Sequence, residues 1–193
     1  PNTTLAMKAI LEPLLSNHFN NNPVNIGVLN PCYDPTKILL KKLNSDQHRN
    51  LFLTEITPEN HLFEESAEKL LFSIQEAHEK RKLDVLICDY ITSQSGRILP
   101  LKEISDFCKE EKIILIVDGN HCFDFTCPEK TLLLPDFFLF STHKWLGNIK
   151  TCNVTIFNTK IGNTTRNFEP DPVGFSFGYK ENNKLFDKFS WVG

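Results

Sequence analysis

The stretch "DVLICDYITSQSGRILPLKEISDFCKEEKIILIVDGNH", residues 84–121, holds two apolar runs separated by a helical pattern. The runs are "DVLICD" and "KIILIVD", short continuous apolar segments of the kind that form strands buried on both faces. Between them, Pro100 begins a helix over "PLKEISDFCKEE", because proline suits the first helical turn. The stretch therefore predicts a strand, a helix and a second strand that is parallel to the first.

The same alternation continues on both sides of this stretch. Four further short apolar runs predict strands: "VNIGVL" (24–29), "NLFLTEI" (50–56), "DFFLF" (136–140) and "CNVTIF" (152–157). Three amphipathic patterns predict helices over 3–15, 34–43 and 64–82, and the first is expected to bury Leu5, Ile10, Leu11, Leu14 and Leu15. Strands separated by helices pair in parallel, so the predicted class is α/β, a mainly parallel sheet flanked by helices.

Composition sets limits on the class of protein. The 193 residues have a hydrophobic fraction of 40%, a charged fraction of 23% and a net charge of −3, which indicates one soluble globular domain. This charge gives no basic field that would attract nucleic acid, and no apolar run is long enough to span a membrane. The six cysteines are scattered, several of them in apolar runs, which favours reduced, buried thiols in a cytoplasmic protein.

Polar side chains follow the predicted strands, at the edge of the sheet where ligands bind. Tyr33, Asp118, His121 and Lys144 each lie a few residues after an apolar run. Lys144 ends the run "FFLFSTHK", and apolar surroundings would lower the pKa of a lysine and make it a nucleophilic amine. Taken singly, each residue also has an ordinary interpretation, such as a turn at Asp118 or packing of Tyr33.

Two segments together carry a family resemblance. "VDGNHCFDF" followed by "FFLFSTHKWLGN" resembles the fold-type I pyridoxal-5′-phosphate (PLP) enzymes of the class V aminotransferase superfamily. The nearest likeness is to the isopenicillin N epimerase-like and C–S lyase group, which has the sequence motifs D-G-A-H and H-K-W-L. "DYITSQSGRILPLKEI" is similar to the D-H-I-T-S-x-T segment of that group, and "PNTTLAMKAI" to its N-A-T-T helix start. The resemblance implies a single PLP-binding large domain over residues 1–193, of the PLP-dependent transferase-like fold and truncated at both ends.

The resemblance also implies catalytic roles for four residues. Lys144 would form the Schiff base with PLP, and Asp118 would pair with the pyridinium nitrogen, which keeps the ring an electron sink. His121 would lie near the phenolic oxygen of the ring. His143, next to the lysine, would support proton transfer.

Five further residues would contact the cofactor. Tyr33 occupies the place of the aromatic residue that stacks on the ring, and Ser93 would lie near the phenolic oxygen. Thr3 and Thr4, at a helix N-terminus, would hold the phosphate together with Ser141. The chain departs from the family text at Asn120, where the family has alanine, and at Tyr90, where it has histidine.

The implied activity is that of a PLP-dependent enzyme on an amino acid, of the C–S lyase or epimerase type, with aminotransfer as the nearer alternative. The full-length parent would be a homodimer, since family members complete their sites across subunits. An alternative is a non-catalytic large domain that acts as a binding or remnant protein. A metal site at His121, Cys122, Cys127 and His143 is disfavoured because no CxxC or HExxH spacing is present. A nucleotide-binding domain is disfavoured because no glycine-rich phosphate loop follows a strand.

Overall fold

The computed structural model describes residues 3–45, 51–58, 66–122, 131, 134–144 and 153–157. Four α-helices are present in this part of the chain: α1 (Thr3–Pro13), α2 (Asp34–Ser45), α3 (Ala67–Lys80) and α4 (Leu101–Glu110). The strands are β1 (Val24–Leu29), β2 (Leu51–Ile56), β3 (Val85–Asp89), β4 (Ile114–Asp118), β5 (Phe137–Ser141) and β6 (Asn153–Phe157). A short π-helix, Leu14–His18, follows α1, and a 3₁₀ turn, Thr142–Lys144, follows β5.

The six strands form one sheet in the order β2-β1-β3-β4-β5-β6. All neighbours are parallel except β5 and β6, which are antiparallel. The chain moves from β1 outward to β2 and then returns to place β3 on the other side of β1. That reversal creates a switch point between β1 and β3, and ligands of open α/β sheets bind beyond the carboxyl ends of the strands at such a point.

Helices cover both faces of the sheet. Alternate strand residues such as Ile87 and Ile116 pack with α1 and α2 in one core. Their neighbours Leu86 and Leu115 pack with α3 and α4 in a second core. Every residue of β3, β4 and β5 is buried, which explains why these strands are continuous apolar runs instead of alternating ones.

The structure confirms the predicted α/β class and corrects details of it. The first helix ends at Pro13, earlier than predicted, and Leu5 is 41% exposed while Met7 is fully buried in its place. The antiparallel direction of β6 was not predicted. The four cysteines that the structure describes (Cys32, Cys88, Cys108 and Cys122) are buried, as expected, and no disulfide joins them. No helix in the described ranges has both the length and the apolar character needed to cross a membrane.

Candidate active site

Buried polar side chains end three neighbouring strands on one edge of the sheet, which we call the carboxyl edge. Asp89 ends β3 and is in register with Asp118, which ends β4. Ser141 ends β5, the next strand in the sheet. The three residues are 4%, 5% and 1% exposed, respectively. Because β3, β4 and β5 are parallel, these side chains meet at the same edge.

Lys144 and His121 form a contact at this edge. Lys144 Nζ lies 3.2 Å from His121 Nε2. Burial lowers the pKa of His121, and the positive charge of Lys144 lowers it further, against a backbone hydrogen bond at Ile91 that favours the charged ring. The imidazole is therefore neutral at neutral pH, and its Nε2 can accept a hydrogen bond from the lysine ammonium.

The expectation that Lys144 is buried among apolar side chains was wrong. The apolar run ends with β5 at Ser141, and the chain then leaves the sheet in the 3₁₀ turn, where His143 and Lys144 are both exposed. The role assigned to His143 stays a prediction.

Asp118 combines a turn with a buried carboxyl group. Its Oδ1 accepts a hydrogen bond from the Asn120 backbone N–H at 2.9 Å. Burial raises the pKa of Asp118, while the hydrogen bonds from Asn120 and the charge of Lys144 act in the opposite direction. A Cβ at Gly119 would lie 2.2 Å from the ring of Phe138, so the residue after Asp118 has to be glycine. A turn closed by a hydrogen bond from the Cys122 N–H to the Gly119 carbonyl follows Asp118, as the turn interpretation of "DG" predicts. The cofactor role of Asp118 stays a prediction.

Asp89 is a site residue that we did not single out from the sequence. Burial raises its pKa to about 7, as does the nearby charge of Asp118, and backbone hydrogen bonds from Tyr33 and Ser93 oppose the shift. Its Oδ1 is buried without a hydrogen-bond partner among the described residues. One sequence feature could have identified Asp89 as a candidate site residue: the two apolar runs "LICD" and "LIVD" both end in aspartate.

The two residues whose backbone N–H groups oppose the rise in the pKa of Asp89, Tyr33 and Ser93, are predicted cofactor contacts. Tyr33 lies in the loop after β1, and Ser93 lies in the loop after β3, so both loops flank the switch point. Both side chains are exposed. Asp89 therefore connects two loops whose side chains are available at the carboxyl edge.

The hydroxyl residues predicted to hold a phosphate also meet. Thr3, at the start of α1, lies with its Oγ1 2.9 Å from Ser141 Oγ. Asn120 Nδ2 donates to the same threonine oxygen at 2.6 Å, and Asn120 Oδ1 accepts from the Ser141 backbone N–H at 2.8 Å. Thr4, next along α1, is half-buried. The part of the chain that the structure describes thus brings Thr3, Ser141, Asp118, His121 and Lys144 to one edge.

A metal site has no support in the described residues. No group of three or more histidine, cysteine, aspartate or glutamate side chains among them could hold a metal ion. One of the four residues considered for that alternative, Cys127, lies outside the described residues.

Solved structures similar to this chain share its fold. DndA from Streptomyces lividans is 16% identical with a TM-score of 0.63, over 81% of this chain and 40% of that one. A C-DES mutant with glycine covalently linked to its PLP cofactor is 17% identical with a TM-score of 0.63, over 81% and 39%. TDC from Oryza sativa, solved with PLP and tryptamine, is 14% identical with a TM-score of 0.56, over 86% and 37%.

These likenesses establish the fold, a mostly parallel α/β sheet flanked by helices that is shared with PLP-containing structures. The chain spans about two fifths of the length of the proteins it matches. No protein-family model matches the sequence, and no curated protein matches it.

Proposed function

We propose that this chain is the cofactor-binding domain of a PLP-dependent enzyme that acts on an amino acid. The observation that carries the proposal is the 3.2 Å approach of Lys144 Nζ to His121 Nε2, at the edge of the sheet where Asp118 is buried. A lysine amine, a neutral imidazole and a buried carboxylate are the groups that this cofactor uses in a protein. Two structures of the same fold contain PLP, which supports the choice of cofactor.

The residues present fit this cofactor at its ring nitrogen. Burial raises the pKa of Asp118, and the charge of Lys144 opposes the shift, because an ionised carboxylate is costly in a buried position unless a cation compensates for it. A protonated pyridine nitrogen would be such a cation, and Asp118 would keep the nitrogen protonated. PLP held in this way supplies an electron sink for a substrate carbanion.

The residues also fit at the reactive carbon and at the phosphate. His121 accepts a hydrogen bond from Lys144, which orients Nζ and gives a proton a path between the two atoms. Thr3 and Thr4 begin α1, whose first backbone N–H groups have no partner within the helix and suit a phosphate. Ser141 adds a hydroxyl beside Thr3.

Among amino-acid reactions we favour C–S bond cleavage or epimerisation over amino transfer. The support is the likeness of "VDGNH" and "STHKWLGN" to the C–S lyase and epimerase text. In the cleavage reaction, a cysteine conjugate loses its α-proton and its thiolate leaves. Water then converts the remainder to pyruvate and ammonia. We also propose that the protein is a cytoplasmic homodimer.

The cofactor proposal is tested by borohydride reduction of the chain with PLP. We expect a near-visible absorbance band that borohydride removes, and a pyridoxyl group on the peptide that contains "STHKW". Lys144→Arg should abolish both signals, while Lys42→Arg, at an exposed position on α2, should leave both unchanged. Label on Lys150 would contradict the assignment, and absence of any band would favour the non-catalytic alternative.

The reaction is tested on the natural protein purified from its cells. Release of pyruvate, ammonia and thiol from cysteine conjugates would support C–S cleavage. Racemisation of an amino acid in deuterated water, with deuterium at Cα and no release of ammonia, would support epimerisation. Transfer of the amino group to a 2-oxo acid, without either of these, would contradict both preferred reactions.

A further inference from the structure

Asn120 connects three elements at the carboxyl edge through one short side chain. Its Nδ2 donates to Thr3 Oγ1 of α1 at 2.6 Å. Its Oδ1 accepts from the backbone N–H of Ser141 at the end of β5 at 2.8 Å. Its own backbone N–H donates to Asp118 Oδ1 after β4 at 2.9 Å. Asn120 is 5% exposed, so these bonds form where water does not compete for them.

The Asn120 amide approaches the hydroxyl pair of Thr3 and Ser141 as a donor. Thr3 Oγ1 accepts from Asn120 Nδ2 at 2.6 Å, and Ser141 Oγ lies 2.9 Å from the same oxygen. Asn153 Nδ2 lies 3.3 Å from both hydroxyl oxygens, so either hydroxyl can donate to the other. The pair has two protons, and the hydrogen bond between the two hydroxyls uses one of them.

The second proton of the pair has no acceptor among the described residues. The other side chains that contact the two hydroxyls, Asn120 and Asn153, do so through their amide nitrogens, which only donate. Ser141 is 1% exposed, and a buried donor without an acceptor is costly. An anion beside the start of α1 would provide the acceptor.

We propose that Asn120 is a positioning residue for the phosphate group of the cofactor: its amide donates to Thr3 Oγ1, which leaves one proton of the Thr3–Ser141 hydroxyl pair to be donated to the phosphate. The inference rests on the proposed function and extends it to a residue at which this chain departs from the resembling family. Through its backbone, Asn120 also couples this phosphate end to Asp118, which would contact the ring nitrogen.

The test compares PLP with pyridoxal, which lacks the phosphate, in equilibrium titrations of the full chain. Asn120→Asp keeps an acceptor for the Ser141 N–H but replaces the Nδ2 donor with an oxygen. Thr3 would then donate to the new carboxylate, and Ser141 would donate to Thr3. We expect the affinity for PLP to fall about 10- to 100-fold, as for a lost hydrogen bond to a charged group. The affinity for pyridoxal should change less than about twofold.

Further variants separate the loss of the Asn120 positioning contact from a general loss of structure. Asn44→Asp adds the same charge at an exposed position and should leave both affinities unchanged. Ser141→Ala should weaken PLP binding selectively, and combining it with Asn120→Asp should cost little more than either change alone, because Asn120 acts through the Thr3–Ser141 hydroxyl pair. Asn120→Ala, the family residue, should give a smaller selective loss and provides a second variant if the aspartate does not fold.

The outcomes distinguish this inference from the proposed function. Equal losses for PLP and pyridoxal, or an unchanged PLP affinity in both Asn120 variants, would overturn the role of Asn120. If the parent chain binds neither PLP nor pyridoxal and gives no borohydride label, the proposed function itself fails.

Discussion

Asn25 at the amino edge of the sheet and Asp89 at the carboxyl edge are both 4% exposed, yet only one of them has all its polar atoms satisfied. The Asn25 amide donates to the carbonyls of Arg81 and Lys82 at 3.1 and 2.9 Å. Its Oδ1 accepts from Thr54 Oγ1 at 2.9 Å, and its backbone N–H donates to Asp84 Oδ2 at 2.8 Å. Every donor and acceptor of this side chain is paired, as buried polar groups in a structural network are.

The carboxyl edge differs in leaving groups open. Asp89 Oδ1 lacks a partner among the described residues, and one proton of the Thr3–Ser141 hydroxyl pair has no acceptor among them. Burial raises the pKa of both Asp89 and Asp118 at this edge. Incomplete satisfaction of buried polar groups is costly for stability and typical of functional sites. This difference is the one that the proposed ligand site at the carboxyl edge requires, whereas the paired network of Asn25 at the amino edge is structural.

The largest effect should follow from Asp118→Asn. The substitution keeps the shape and removes the charge that would hold the ring nitrogen protonated, so turnover of the natural protein should fall on the order of 10²–10³-fold. Steady-state kinetics checks this, with circular dichroism to show that the fold is retained. Turnover equal to that of the parent would mean that Asp118 is only a turn residue.

Asn25→Ala should lower stability without affecting the site. Loss of its amide leaves two carbonyls and a hydroxyl without partners, so the free energy of unfolding should fall by about 2–3 kcal/mol. Urea denaturation measures this, and PLP affinity should stay unchanged. The control Asn44→Ala, at an exposed position with one hydrogen bond to the Leu51 N–H, should cost less than about 0.5 kcal/mol. A fall in PLP affinity for Asn25→Ala in folded protein would contradict the contrast between the edges.

Asp89→Asn should change how stability depends on pH in the cofactor-free chain. The pKa of Asp89 is raised from 3.8 to about 7 in the folded state, so the folded chain keeps a proton that the unfolded chain has released. The contribution of Asp89 to stability is then largest at low pH and is lost as pH rises through about 7. This one group should reduce the free energy of unfolding by about 2 kcal/mol between pH 5 and pH 8.

Urea denaturation of parent and variant across that range isolates the contribution of Asp89. Asp89→Asn should have a shallower loss of stability with pH, and part of the loss should remain because the pKa of Asp118 is also raised. Asp106→Asn removes a charge from an exposed position, where hydrogen bonding to Lys102 lowers the pKa of the carboxyl, and it should keep the slope of the parent. If the free energy of unfolding depends on pH identically in the parent and in Asp89→Asn, the pKa of Asp89 is not raised in the folded chain.

The smallest effect on stability should be that of Lys144→Met. Lys144 is exposed, so the free energy of unfolding should change by less than about 0.5 kcal/mol, while the borohydride label is lost. Lys37→Met, which removes a surface ion pair with Glu55 at 3.4 Å, should have a similarly small effect on stability and should keep the label. A large loss of stability for Lys144→Met would mean that the lysine has a structural role.

The strands were predicted closely from the sequence, and their pairing less completely. β1 was predicted with its observed bounds, and β3 and β4 to within two residues, because continuous apolar runs of five or six residues are stable only when both faces are covered. The direction of β6 was not predictable, since an apolar run has the same pattern in either direction. The burial of Met7 instead of Leu5 depends on how α1 is rotated against the sheet, which its own pattern does not determine.

For the site, the sequence by itself determined which polar residues follow buried strands, and therefore that Asp118, Ser141 and Lys144 share an edge with the loop of Tyr33. Only the tertiary structure decided which of them are buried and which atoms meet. Thr3 and Asn120 are 117 residues apart in sequence and 2.6 Å apart in space, and Asp89 faces Asp118 through the register of two strands. The physical reason is that burial, hydrogen bonding and pKa depend on neighbours that folding brings from distant parts of the chain.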